Sequence, residues 1–118
     1  MDAHTQRKLL GLIGLGLRGR QAVVGVQQVR NAALRNKLAY AIVAPDASHH
    51  SLQKIVPLLG ARRIEYATGP SAADLGAAVG REATAVVGIL DHALASGIRK
   101  LMEANRAGGP GSDASRAP

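Results

Sequence analysis

Apolar residues along the chain repeat with two different periods, and the change between them predicts alternating helices and strands. Leu9, Ile13 and Leu17 are four residues apart, which places them on one face of an α-helix. Short runs rich in valine and isoleucine, the clearest at 85–90, are instead typical of buried strands. The pattern predicts helices over 4–18, 26–37, 49–59, 72–79 and 92–105, with strands over 21–24, 40–44, 62–67 and 85–90. Four strands that alternate with five helices predict an α/β layered fold.

Polar residues at the predicted boundaries agree with this assignment. Ser48 and Asp91 are suited to cap the third and fifth helices, and Ser71 with Asp74 matches a capping box for the fourth. Capping also explains the acid and the hydroxyl in the segment DASHH at 46–50 without a catalytic role. The sequence therefore predicts no catalytic residues, no metal site and no cofactor.

A chain of 118 residues is long enough for one domain with a hydrophobic core, and the sequence predicts that domain over residues 1–105. From Arg106 onward the composition changes, because apart from proline no apolar side chain there is larger than alanine. Residues 106–118 are rich in glycine, proline and serine and are predicted to form a disordered tail.

The segment GLGLRG at 14–19 matches G-x-G-x-x-G, the pattern that binds a dinucleotide pyrophosphate. That function requires a strand before the pattern and a helix after it. The leucines before it have helical spacing, and the residues after it, Ala22-Val23-Val24, favour a strand. We therefore expect these glycines to let a helix pack closely and then turn. A nucleotide-binding enzyme is the least supported alternative.

The chain is strongly basic, with 15 lysines and arginines against 8 acids, a net charge of +7 and a pI near 10.9. Such an excess favours a polyanionic partner, nucleic acid above all. Because only two residues are aromatic, contacts must come from polar side chains and backbone rather than from stacked rings. The absence of cysteine excludes disulfides and thiolate metal sites and agrees with a cytoplasmic location. Apolar runs are too short for a membrane helix.

One stripe of the predicted second helix carries amides and a guanidinium, the groups that bind base edges and phosphates. Gln27, Gln28, Asn31 and Arg35 fall within about 100° on a helical wheel. Gly25, just before the helix, allows close approach of another backbone, and the helix start offers free N–H groups. The stripe is either a nucleic-acid surface or a solvated helix face.

Four segments in this order resemble the superfamily of ribosomal proteins that bind kink-turn RNA, the L-seven-Ae type, and within it the small bacterial YlxQ-like members. The resemblance covers residues 5–103. It rests on GVQQVRN at 25–31, YAIVAPDAS at 40–48, PSAADLGAAVG at 70–80 and REATAVVGI at 81–89. It implies a three-layer α-β-α sandwich around a four-stranded mixed sheet, and binding to a kinked RNA duplex with tandem sheared G·A pairs.

The resemblance also implies which residues would contact RNA. The family's helix motif G-x-N-E-x-x-K corresponds to Gly25, Gln27, Gln28 and Asn31, so that its three polar positions are all substituted. Its loop over an extruded base, G-I-E-V, corresponds to 80–83, where Glu82 matches and Arg81 and Ala83 replace apolar residues. Arg30 and Arg35 are expected to supply the charge that Asn31 lacks, and phosphate contacts are expected from Arg18, Arg20 and Lys37.

The sequence thus predicts a non-catalytic RNA-binding protein whose partner is a structured RNA such as a kink-turn. The alternative from another class is a protein–protein interaction module, with ribosomal or transcription proteins as partners.

Overall fold

The computed structural model describes residues 2–108, with side-chain positions for 2–104. Residues 109–118, most of the predicted tail, lie outside the described residues. The nine predicted elements are present in the predicted order. The helices are α1 (Ala3–Arg18), α2 (Val26–Leu34), α3 (His49–Ala61), α4 (Ala72–Ala78) and α5 (His92–Gly108), and the strands are β1 (Ala22–Val24), β2 (Tyr40–Val43), β3 (Tyr66–Thr68) and β4 (Val86–Ile89).

The four strands form one mixed sheet in the order β1-β4-β2-β3. Strand β4 runs antiparallel to β1 and β2, whereas β2 and β3 are parallel. Alternate residues of β2 enter different cores: Tyr40 and Ile42 pack with α1, α4 and α5, while Ala41 and Val43 pack with α2 and α3. The fold is therefore the predicted three-layer α-β-α sandwich. No helix within the described range is long and apolar enough to cross a membrane.

The predicted caps are confirmed where they depend on local sequence. The Ser48 and Ser71 hydroxyls accept hydrogen bonds from the N–H groups of Ser51 and Asp74, at 3.1 and 3.2 Å. The predicted strand at 62–67 is wrong at its start, since β3 begins only at Tyr66. Helix α3 runs to Ala61, and the residues after it turn before the chain can enter the sheet.

The dinucleotide-like segment lies at the end of α1, so a helix precedes it and a strand follows it. A Cβ atom on Gly16 would lie 2.5 Å from Leu94 Cδ2, and one on Gly14 would lie 3.1 Å from the Ala78 carbonyl oxygen. These glycines allow α1 to pack closely on α5 and α4. The structural role expected for them is confirmed.

Connecting segments leave the sheet at two opposite ends, which we call the upper and lower rims. The upper rim contains Gly25 and the connections 44–48, 69–71 and 79–85, next to the ends of β1–β3 and the start of β4. The lower rim contains the connections 19–21, 35–39, 62–65 and 90–91. Helix α2 starts at the upper rim and ends at the lower one.

Candidate nucleic-acid interface

Gly25 connects β1 to α2 in a conformation that other residues avoid. Its φ and ψ of 91° and 159° lie in a region almost restricted to glycine. The Gly25 N–H donates to the Val86 carbonyl oxygen at 2.9 Å, and the Gly25 carbonyl accepts from Val29 N–H at 3.0 Å. The chain therefore leaves the sheet and enters the helix without an intervening loop.

Among the five helices of the described chain, α2 alone starts without a side-chain cap. Asp2, Ser48, Ser71 and Asp91 cap the others through a side-chain oxygen. A helix start leaves backbone N–H groups without intrahelical partners and carries partial positive charge. The N–H groups of residues 26–28 are therefore available to acceptor atoms of a ligand.

The three polar side chains near this start differ in what they already contact. Gln27 Nε2 donates to Asn31 Oδ1 at 3.2 Å, so two of the family's RNA-contacting positions bind each other. Gln28 is exposed, and its amide has no partner in the described part of the chain. Gln28 therefore presents a free donor and a free acceptor to solvent.

The second candidate segment, the connection 79–85, is held against α4. Arg81 N–H donates to the Gly76 carbonyl oxygen at 2.7 Å, and Gly80 takes a positive φ of 75°. A Cβ atom on buried Gly76 would lie 2.6 Å from Ala83 Cα, so only glycine allows this approach. The side chains of residues 81–83 are exposed.

A continuous set of hydrogen bonds joins this connection to the start of α2. Asp46 Oδ1 accepts from Ala72 N–H at 2.8 Å, and the Ala72 carbonyl accepts from Thr84 N–H at 3.0 Å. Thr84 Oγ1 donates at 3.3 Å to the Val86 carbonyl, which also accepts from Gly25. The two segments that the resemblance assigns to RNA thus lie side by side on the upper rim. Sequence reasoning assigned Asp46 only a local capping role and missed Thr84, because their partners are set by the sheet.

The remaining predicted contacts lie elsewhere. Arg30 is half-buried, and its guanidinium donates to the Lys54 carbonyl oxygen of α3 at 2.6 Å. Arg35 follows the end of α2, about 15 Å along the helix axis from Gly25. The three residues predicted to bind phosphates are also at the lower rim or adjoin it: Arg18, Arg20 and Lys37. The structure therefore places Gly25 and the start of α2, which bears Gln27 and Gln28, at the same rim as residues 81–83, but not these basic residues.

Known proteins are similar to this chain over most of its length. The model of the ribosomal protein L7Ae/L30e/S12e/Gadd45 family matches residues 7–97, from α1 into α5. The RNA-binding protein YlxQ of Bacillus subtilis (strain 168) is 31% identical over an alignment of 96 residues, which covers 78% of this chain and 92% of that protein. A solved protein of unknown function from Bacillus halodurans C has a TM-score of 0.75 and 28% identity, over 81% of this chain and 97% of its own. The Giardia lamblia 15.5kD RNA binding protein shares the fold, with a TM-score of 0.72 and 20% identity over 88% and 89% of the two chains.

Proposed function

The chain belongs to the ribosomal protein L7Ae/L30e/S12e/Gadd45 family, and from this premise we propose that it is a non-catalytic, cytoplasmic RNA-binding protein. The names of the Bacillus subtilis and Giardia lamblia relatives, both RNA-binding proteins, support the proposal. The observation that carries it is the uncapped start of α2, whose free N–H groups lie beside the connection 79–85.

We further propose that the upper rim reads a kink-turn or a related structured RNA. Gln28 contacts base edges in the groove, while the Gln27–Asn31 pair and the N–H groups of residues 26–28 bind nearby acceptor atoms. Arg81 replaces an apolar residue of the family pattern and stacks its planar guanidinium on the extruded base.

Charge favours base reading over phosphate binding at this rim. The upper-rim connections contain one basic residue, Arg81, against two acids, Asp46 and Glu82. Phosphate attraction alone would bind any RNA and would be weak at such a surface. Discrimination between RNAs therefore has to come from the amides and backbone groups of α2.

Titration of the ¹⁵N-labelled protein with a kink-turn RNA, followed by NMR, tests this assignment. New hydrogen bonds should shift the amide resonances of residues 26–28 and 81–83 first, together with the Gln28 side-chain amide. Saturable shifts confined to other parts of the protein would contradict it.

A protein-docking function has one observation in its favour. A groove of about 540 Å³ lies between α1 and α5 and is lined by Leu12, Leu15 and Leu101 among others. Leu15 is 57% exposed. Ribosomal or transcription proteins are the partner class for this second candidate. A Leu15→Lys variant that keeps RNA binding but no longer co-purifies with a ribosomal fraction after RNase treatment would support it, and unchanged co-purification would count against it.

A further inference from the structure

Most of the positive charge on the connecting segments lies at the rim opposite the proposed RNA-reading site. The connections of the lower rim and Arg18, which adjoins them, contain six basic residues and two acids. Both acids are already engaged: Glu65 Oε1 lies 2.9 Å from Arg99 Nε, and Asp91 Oδ2 accepts from Leu94 N–H at 2.7 Å. The basic residues, which we call the lower-rim cluster, are Arg18, Arg20, Arg35, Lys37, Arg62 and Arg63.

The three basic connections share one backbone geometry. After α1, α2 and α3, the chain turns through a residue with positive φ: Arg20 (60°), Asn36 (58°) and Arg63 (56°). In each case the N–H of the next residue bonds a helix carbonyl five positions earlier, at 2.7 to 2.9 Å, which defines a Schellman turn. The same turn after α4 uses glycine, Gly80, the residue that favours it.

Arg20 and Arg63 thus occupy positions where glycine would be less strained. Neither side chain has a hydrogen-bond or ion-pair partner within the described chain, and both are exposed. Their charge therefore serves no contact inside the fold. A local requirement for the turn does not explain arginine at either position.

The strand order sets the spacing of these charges. The connections 19–21, 35–39 and 62–65 precede β1, β2 and β3. In the strand order β1-β4-β2-β3, the outer strands β1 and β3 are three strand-to-strand steps apart, or about 14 Å. Arg62 donates to Asn36 Oδ1 at 3.0 Å and joins two of the connections across a groove of about 290 Å³. A DNA duplex exposes a phosphate roughly every 3.4 Å of its axis on each strand, and an A-form RNA duplex is at least as densely charged, so this span faces several phosphates at once.

The connections of the lower rim contain no phenylalanine, tyrosine or tryptophan. Proteins that bind single strands stack bases on such rings. The nearest exposed ring is that of Tyr66, the first residue of β3. A surface with several guanidinium and ammonium groups and a single ring at its edge is suited to the backbone of a duplex, whose bases are already stacked.

We propose that the lower-rim cluster is a second RNA-binding surface, which binds the phosphate backbone of an RNA duplex without reading its sequence. The proposal rests on the proposed function only in taking RNA as the polyanion. It gives the protein two RNA contacts at opposite ends of the strands.

A doubly substituted protein, R20G/R63G, tests this surface with the fold preserved, because glycine is favoured at both turns. Binding to a fluorescent RNA duplex of Watson–Crick pairs is measured by anisotropy over a series of KCl concentrations. We expect about tenfold weaker binding at low salt and a slope of log K against log[salt] reduced by about two. The thermal midpoint should stay equal to or rise above that of the wild type.

The control, R7Q/K100Q, removes the same charge from exposed sites on α1 and α5 away from the cluster. This control should keep most of the wild-type affinity for the duplex and most of the slope of log K against log[salt]. The proposal is overturned if R20G/R63G binds like the wild type or no worse than the control, or if the wild type does not bind the duplex. Binding of poly-L-glutamate that is tighter than binding of the duplex at equal charge would instead assign the cluster to acidic proteins and would also overturn the proposal.

A kink-turn RNA measured in parallel separates the two proposals. R20G/R63G should weaken binding to both RNAs by the same factor and leave their ratio unchanged. If the affinities for the kink-turn RNA and the duplex are nearly equal in every variant, while R20G/R63G still reduces the salt slope, the kink-turn proposal alone is contradicted. If the kink-turn RNA binds much more tightly than the duplex, and R20G/R63G leaves the salt slope unchanged, the second surface alone is contradicted.

Discussion

The N–H of Gly25 donates a hydrogen bond to the carbonyl oxygen of Val86 at 2.9 Å, which fixes the start of α2 beside the strand that follows the connection 79–85. Residues more than 50 positions apart in sequence thereby form one surface. Its geometry depends on a few positions at which the backbone either excludes a Cβ atom or needs a side chain to accept a hydrogen bond.

Gly25→Ala is expected to lower the free energy of unfolding by about 1–3 kcal/mol, because φ and ψ of 91° and 159° are strained for any residue with a Cβ atom. For a domain of this size the thermal midpoint should fall by at least about 4 °C. The control is Gly97→Ala, where a Cβ would have no neighbour within 4 Å and helix propensity improves. Equal midpoints for the two variants would contradict this account of Gly25.

Gly76→Ala is expected to displace residues 81–83, since its Cβ would lie 2.6 Å from Ala83 Cα and 2.7 Å from Ala83 N. Backbone atoms cannot move aside like a flexible side chain, so we expect a loss of about 1–3 kcal/mol in stability. RNA affinity should fall as well, at a temperature where the variant is folded. Gly60→Ala, in α3 with no neighbour within 4 Å, is the control: it should lower neither quantity, and its better helix propensity should if anything raise stability.

Gln28→Ala is expected to reduce discrimination between RNAs more than overall affinity. Loss of one base-edge contact should lower the ratio of affinities for a kink-turn and a regular duplex by roughly fivefold or more, with the salt slope unchanged. Gln53→Ala removes an exposed glutamine from α3 and should leave the ratio intact. A uniform loss for both RNAs would assign Gln28 to phosphate contact instead.

Asp46→Ala is expected to loosen the start of α4 and the connection that packs on it. The variant removes the acceptor 2.8 Å from Ala72 N–H, and the loss of such a contact at a helix start typically costs about 1 kcal/mol. Asp46→Asn keeps an oxygen acceptor and should retain most of the stability. Denaturant unfolding of both variants checks this, and equal losses would mean that charge rather than the hydrogen bond matters.

Local signals predicted the elements and most of their boundaries. The four-residue spacing of Leu9, Ile13 and Leu17 and the capping serines Ser48 and Ser71 depend on neighbours within one or two turns. The start of β3 was not predictable in this way. Its position depends on pairing with β2, and the turn at Arg63 delays the chain's entry into the sheet.

The candidate site was predictable only in part, because strand order decides which connections share a rim. On a helical wheel, Arg35 and Gln28 have nearly the same angle. The wheel does not show their separation along the axis of α2, which places Gln28 at the upper rim and Arg35 at the lower rim. The bonds from Arg30 to Lys54 and from Ala72 to Asp46 join residues 24 and 26 positions apart. No local pattern indicates such partners, so the basic residues were assigned to one RNA surface when they belong to two sides of the protein.

The most direct measurement is a titration of the protein with a short kink-turn duplex and with a copy in which Watson–Crick pairs replace the G·A pairs, at two salt concentrations. We predict tighter binding to the kink-turn at both concentrations, since the upper rim reads base edges while salt weakens phosphate contacts to both RNAs alike. Equal binding to the two duplexes, or binding to neither, would contradict the claim that the start of α2 and residues 81–83 form an RNA-reading surface.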